Sequence, residues 1–171
     1  MMTQVTETSE SWARAVLALG SNMGNTRETL FRAIADIRAL EGISLENTSS
    51  VYDTTALTST GYDETRPRYA NQVVSIRTVW SPEKLLSHLQ TVEARHGRQR
   101  TDDQWADRTL DIDIVTYGDI ALEKELLTLP HPRAHERLFV LEPWLELDGE
   151  AELPGHGPVA ELVESLKGQS A

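Results

Sequence analysis

A chain of 171 residues fits one ordinary domain, and its 39% apolar content can fill a core while the charged quarter stays outside. A net charge of −11 argues against the basic face that duplex nucleic acid or an anionic membrane surface requires, and the lack of cysteine excludes disulfides, thiolate catalysis and thiolate–zinc sites. No apolar run approaches the roughly 18 residues of a membrane helix, so a cytoplasmic protein is expected, with residues 1–11 a polar, flexible tail ahead of a single domain over 12–171.

The first element, from Ala13 to Leu19, reads as a buried strand ended by the turn signal Gly20-Ser21-Asn22. Asn25 and Glu28 have capping-box spacing, and Leu30, Ile34, Ile37 and Leu40 recur at helical intervals until Gly42. Two β-prone runs follow, Ile43 to Tyr52 and Tyr69 to Val79, separated by a long polar loop. Ser81 and Pro82 then open a helix carrying Leu85, Leu86, Leu89 and Val92 and closed by Gly97. After an Arg- and Asp-rich stretch, Leu110 to Tyr117 alternates as a half-buried strand. A short excursion past Gly118, a loop at Pro130-His131-Pro132, and helices over Glu136 to Leu147 and Val159 to Leu166 complete the chain. The order βαββαβ implies an α+β ferredoxin-like sandwich: a four-stranded antiparallel sheet with helices packed on it and C-terminal additions.

Chemistry concentrates on the last strand. Asp111 and Asp113 share a face, with Cα atoms roughly 6.6 Å apart. Paired like charges in so apolar a strand cost stability unless a cation lies between them. Oxygen donors without cysteine or an adjacent histidine suit Mg²⁺, although an exposed face that tolerates charge would read the same way. Arg98, Arg100 and Arg108 lie just upstream and match phosphate oxygens, unless they are solvated surface charge. No phosphate loop, kinase glycine loop or dinucleotide fingerprint is present, which leaves a less common ATP-using fold.

The run Arg108-Thr109-Leu110-Asp111-Ile112-Asp113-Ile114 resembles the signature of the 6-hydroxymethyl-7,8-dihydropterin pyrophosphokinase family. Leu19-Gly20-Ser21-Asn22, Ser49-Ser50-Val51-Tyr52, Tyr69-Ala70-Asn71, Glu93 through Arg98 and Pro130-His131-Pro132-Arg133 extend the resemblance from about Ala15 to beyond Leu141.

The resemblance implies a ferredoxin-like enzyme that moves pyrophosphate from ATP to the pterin hydroxymethyl group and releases AMP. By the same resemblance Asp111 and Asp113 are the ligands of two Mg²⁺ ions and, with Arg98 and Arg108, the catalytic set. ATP would meet Glu93, Arg98, Trp105, Arg108, Ile114, His131 and Arg137, with Trp105 on a loop that closes as a lid. The pterin would lie between Tyr69 and Phe139, bonded at its edge by Asn71, with backbone groups near Thr54 and Leu57, and Asp111, completing its pocket. ATP and the pterin are thus the expected partners of a monomer, with neither nucleic acid nor membrane.

Plainer roles stand beside these: Tyr69 and Phe139 as core rings, His131 as a turn histidine, Glu93 as an exposed helical acid. The family often has prolines at Thr55-Ala56 and Gly-Pro at Ala106-Asp107, and some members have tyrosine at Pro132, so the resemblance implies more flexible loops and one missing ATP contact here. A non-catalytic ligand-binding module of the same fold and a metal-dependent phosphohydrolase are the competing functions.

Overall fold

The computed structural model describes residues 11–58, 60–97 and 109–169, with the backbone alone at 57 and 58. The expected tail lies outside the described residues except for Ser11, and so does the stretch 98–108.

In chain order, β1 (Ala13–Ser21) and α1 (Thr26–Arg38) lead to β2 (Ile43–Thr48), β3 (Tyr52–Thr54) and a small hairpin of β4 (Ala56–Thr58) and β5 (Gly61–Asp63). Next come β6 (Tyr69–Thr78), α2 (Pro82–Arg95), β7 (Asp111–Tyr117) and a second hairpin of β8 (Leu122–Lys124) and β9 (Leu127–Leu129). A 3-10 turn (Ala134–Glu136), α3 (Leu138–Leu147), the short pair β10 (Glu152–Leu153) and β11 (Gly157–Pro158), and α4 (Val159–Gln169) finish the described chain.

The central strand is β1, antiparallel to β6 on one side and to β7 on the other. The order is β2–β6–β1–β7, and β3 pairs with β6 as a fifth strand where four were expected. The reason lies at Ser49. Thr48 faces Val74 and Tyr52 faces Asn71, so four steps along one strand span three on β6 and the expected single run breaks. Buried Ser49 holds the break by donating its N–H to Val73 O at 2.8 Å and accepting Val73 N–H on its hydroxyl at 3.0 Å. Other boundaries also move. The loop after β3 contains the β4–β5 hairpin, the excursion after Gly118 is the β8–β9 hairpin, and α3 begins at Leu138 because Arg137 is extended (φ −112°, ψ 99°).

Period-two alternation in β1 divides the core into two layers. Ala15, Leu17 and Leu19 join Val74, Ile76, Ile112 and Ile114 under α1 and α2, through Leu30, Ile34, Ile37, Leu85, Leu89 and Val92. On the opposite face Val16 and Ala18 join Val73 and Val115 under α3 and α4, through Val140, Leu141, Trp144, Val159 and Val163. The C-terminal additions therefore cover the sheet face that the first two helices leave bare. Both early helices start as their sequences dictate: Asn25 Oδ1 accepts Glu28 N–H at 3.2 Å, and Ser81 Oγ accepts Lys84 N–H at 3.2 Å.

A carboxylate secures α3 to the far edge of the sheet. Glu146 accepts from Ser50 N–H, Ser50 hydroxyl and Tyr52 hydroxyl at 3.0, 2.9 and 2.7 Å. The Tyr52 hydroxyl is the largest cause holding the Glu146 carboxyl below its usual range. No helix among the described residues is long and apolar enough to cross a membrane.

Gly42 is required by close approach, since a Cβ there would stand 2.1 Å from Trp80 Cε2. That ring cannot simply swing away, being stacked on His88 at 3.8 Å, while its carbonyl accepts the Tyr117 hydroxyl at 2.6 Å. Gly42→Ala should therefore cost about 1–3 kcal/mol through overpacking. A lower urea midpoint with altered tryptophan fluorescence checks this; an unchanged midpoint would contradict it.

Candidate active site

The antiparallel registers place a row of residues across three strands. Gly20 of β1 faces Asn71 of β6 on one side and Asp111 of β7 on the other. In the next row Ala18 lies between Val73 and Asp113. All lie on the face that α3 and α4 cover farther along, and the row of Gly20, Asn71 and Asp111 is the polar end of that face. With strands about 4.8 Å apart, Asp111 and Asn71 lie roughly 10 Å from each other across a residue with no side chain.

One bank of this trough is fixed by β3. Thr54 faces Tyr69 and Tyr52 faces Asn71 in the β3–β6 register. Asn71 is 6% exposed, and its Nδ2 donates to Thr54 Oγ1 at 2.7 Å and to Tyr52 O at 3.4 Å. A backbone carbonyl can only accept, so this contact assigns the nitrogen and leaves Oδ1 as the acceptor turned over Gly20. A Cβ on Gly20 would meet that oxygen at 3.4 Å and Tyr69 Cδ1 at 3.9 Å. Leu57 pairs through β4 with Tyr62 nearby in sequence. Phe139 opens α3, and the Arg137 guanidinium lies 5.5 Å from the centre of its ring.

On the other bank, Asp113 Oδ2 lies 3.9 Å from His131 Nε2. His131 is held at both its backbone and its ring. Its N–H donates to Val115 O at 2.8 Å, and its Nδ1 accepts Arg133 N–H at 3.2 Å. The neutral ring must then carry its hydrogen on Nε2, facing the aspartates. Burial, reinforced by the Arg137 charge and opposed by Asp111, pushes the His131 pKa down to about 4. Near neutral pH it is an uncharged donor, unsuited to bind a cation through Nε2 or to act as a base.

Asp111 and Asp113 thus offer oxygen only, on one face and half-buried. Among the described residues no group of three His, Cys, Asp or Glu side chains gathers for a metal. Two carboxylates completed by water and phosphate oxygens fit Mg²⁺, which rarely uses an all-protein cage.

The remaining expected residues divide. Glu93 is not an exposed helical acid: it is 3% exposed, and its Oε2 accepts Ile112 N–H at 2.9 Å. The Ile114 side chain, 3% exposed, is committed to the core under α1 and α2. Arg98, Arg100, Trp105 and Arg108 lie outside the described residues. Two contributions escaped the sequence reading. Gly20 looked like part of a turn, and Thr54, expected to act through its backbone, also turns Asn71 with its hydroxyl, a contact without a signal because Asn71 is 17 residues away.

Comparison with known proteins gives this geometry its context. The family model described as 7,8-dihydro-6-hydroxymethylpterin-pyrophosphokinase matches residues 16–149. A 2-amino-4-hydroxy-6-hydroxymethyldihydropteridine pyrophosphokinase of Haemophilus influenzae is 39% identical over 152 residues, covering 89% of this chain and 92% of that protein. The protein of the same name from Synechocystis sp. is 37% identical over 153 residues, covering 89% and 75%. Among solved structures, wild-type Plasmodium falciparum HPPK-DHPS with pterin and p-hydroxybenzoate superposes with a TM-score of 0.68 at 15% identity, over 92% of this chain and 44% of that one. That likeness is one of fold, and the chain spans under half the length of those solved chains. Sharing that family's model over most of its length and close to two-fifths of its residues with a relative of nearly the same extent, the chain belongs to the 7,8-dihydro-6-hydroxymethylpterin-pyrophosphokinase family.

Proposed function

We propose that this chain transfers pyrophosphate from ATP to the hydroxymethyl group of 6-hydroxymethyl-7,8-dihydropterin, giving AMP and the pterin diphosphate for folate biosynthesis. The observation that carries this reading is the Asp111–Gly20–Asn71 row, which sets the first carboxylate of an Asp-x-Asp pair one glycine away from an amide acceptor in a chain of this family. The finer fold assignment is the ferredoxin-like sandwich. The strand order β2–β6–β1–β7 with α1 and α2 on one face supports it, β3 being an addition. A cytoplasmic monomer acting without nucleic acid is part of the same proposal.

Asp111 and Asp113 would hold the Mg²⁺, two ions in the family pattern. When bound, that cation neutralises polyphosphate charge as the substrate hydroxyl attacks the β-phosphorus. The bond formed joins the hydroxymethyl oxygen to the β-phosphorus, the bond broken joins that phosphorus to the α-phosphate oxygen, AMP leaves, and the hydroxyl proton is released to water. The chain's own residues position and select. Asn71 Oδ1 accepts from an N–H edge of the pterin, Tyr69 and Phe139 flank its ring, and backbone groups at Thr54 and Leu57 close the pocket. His131 donates its Nε2–H to a phosphate oxygen, while Arg137 supplies positive charge from above Phe139. Arg98, Arg108 and Trp105 belong to the segment proposed to close over ATP and exclude water.

Three results would test this. ATP, Mg²⁺ and the hydroxymethyl pterin should yield AMP, and Asp111→Asn or Asp113→Asn should lower kcat roughly a hundredfold or more, as loss of several kcal/mol of charge stabilisation requires. Appearance of ADP, or of phosphate without pterin, would refute the reaction.

Gly20→Val should fill the trough and raise the pterin KM at least about tenfold, a cost of 1.4 kcal/mol or more, while the melting transition stays cooperative. An unchanged KM would detach Gly20 from the pocket.

His131 supplies the third. Because its folded pKa is about 4 against an ordinary 6.5, the unfolded chain takes up the proton first. Stability of the metal-free protein should be fully expressed above the ordinary value and fall as pH drops through this window. In His131→Gln that contribution to the slope should vanish, as chemical denaturation at successive pH values would show. Parallel profiles for the two proteins would contradict it.

A further inference from the structure

Glu93 sits where local preferences oppose it. It is 3% exposed and lies in the last turn of α2, where the helix carbonyls already concentrate negative charge. Two more carboxylates stand on the strand beside it. A buried carboxylate in such a place costs stability unless hydrogen bonds hold it.

One bond that holds it is informative. Glu93 Oε2 accepts Ile112 N–H at 2.9 Å, and Ile112 is the residue between Asp111 and Asp113. The Ile112 side chain, 3% exposed, is buried in the core beneath α1 and α2 while its two neighbours project from the opposite face. Strand β7 also ends the sheet order, so within that sheet only β1 flanks it. A backbone with one sheet neighbour needs other ties to keep its side chains in register. Val115 O has one in His131 N–H, and the segment between the aspartates has Glu93.

We propose that Glu93 is a positioning residue: its carboxylate, by accepting the Ile112 N–H, fixes the backbone that sets the spacing and direction of Asp111 and Asp113, and so sets their affinity for a divalent cation. The proposal rests on the reading that the two aspartates bind that cation. It gives Glu93 a role different from the direct ATP contact that the resemblance implied.

Mn²⁺ is a suitable probe, titrated by electron paramagnetic resonance into the full chain with a non-hydrolysable ATP analogue. Pterin affinity is measured separately at saturating Mn²⁺ and analogue, and thermal unfolding confirms the fold. Glu93→Gln keeps an oxygen for the Ile112 N–H, whereas Glu93→Met fills the volume with no such acceptor. The amide variant should bind Mn²⁺ within about threefold of the parent and the Met variant about 10–100-fold more weakly, as for partners that orient metal ligands, with pterin affinity unchanged in both.

Three outcomes would overturn the proposal. Wild-type Mn²⁺ affinity in Glu93→Met would mean that the bond orients nothing. Equal weakening in both variants would mean that charge, not the hydrogen bond, matters. Joint loss of Mn²⁺ and pterin affinity would mean a general structural role. If Glu93→Met does not unfold cooperatively, Glu93→Asp, whose carboxylate is one methylene short of the N–H, carries the same three outcomes. Asp111→Asn is the separate control: unchanged Mn²⁺ affinity there would refute the metal-site reading whatever Glu93 does.

Discussion

The antiparallel register of β1 between β6 and β7 governs what the rest of the molecule can do. Because side chains alternate, one residue's slip would send Asp111 and Asn71 into the core and bring Ile112 and Ala70 to the site. Leu17, Leu19, Ile112, Ile114 and Val74, packed together under α1 and α2, oppose that slip through their burial. Core packing on one face thereby dictates site geometry on the other.

The second face is divided along its length. At one end Val16, Val73 and Val115 lie under α3 and α4; at the other the same rows continue as Gly20, Asn71 and Asp111. The C-terminal helices thus complete a core, and Phe139, at the start of α3, packs against it with the Arg137 guanidinium near its ring. The Glu146 bonds to Ser50 and Tyr52 join α3 to β3, the strand whose Thr54 orients Asn71. A small movement of α3 relative to β3 would disturb these bonds, so the three-bond clamp constrains the strand that orients Asn71 as well as a helix.

Much of this was legible in the sequence where a local rule suffices. The period of β1, the caps of α1 and α2 and the Asp-x-Asp alternation of β7 each depend on neighbours a few residues apart, and each is present. What sequence could not supply depends on partners far along the chain. Ser49 breaks a strand by pairing with Val73, the Thr54 hydroxyl turns an amide 17 residues away, and Glu93 reaches Ile112 across 19 positions. Glu93 illustrates the difficulty best, because a glutamate near a helix end is ordinarily solvated and only the packing of α2 against β7 buries it.

The charge state of His131 links these constraints to the chemistry. A chain of net charge −11 that gathers two carboxylates in one trough has every electrostatic reason to repel a polyphosphate. A protonated imidazole would relieve the repulsion, but it would also compete with a cation for Asp113, 3.9 Å away. Burial and the charge of Arg137 keep the ring neutral, and the Arg133 N–H fixes which nitrogen bears its hydrogen. The result is an uncharged donor beside Asp113 rather than a second cation there, the arrangement that the proposed binding of a divalent ion by the two aspartates requires. In the proposed reaction the arginine charge that acts on His131 would engage phosphate while the carboxylates engage metal, so opposite charges would serve one anionic substrate.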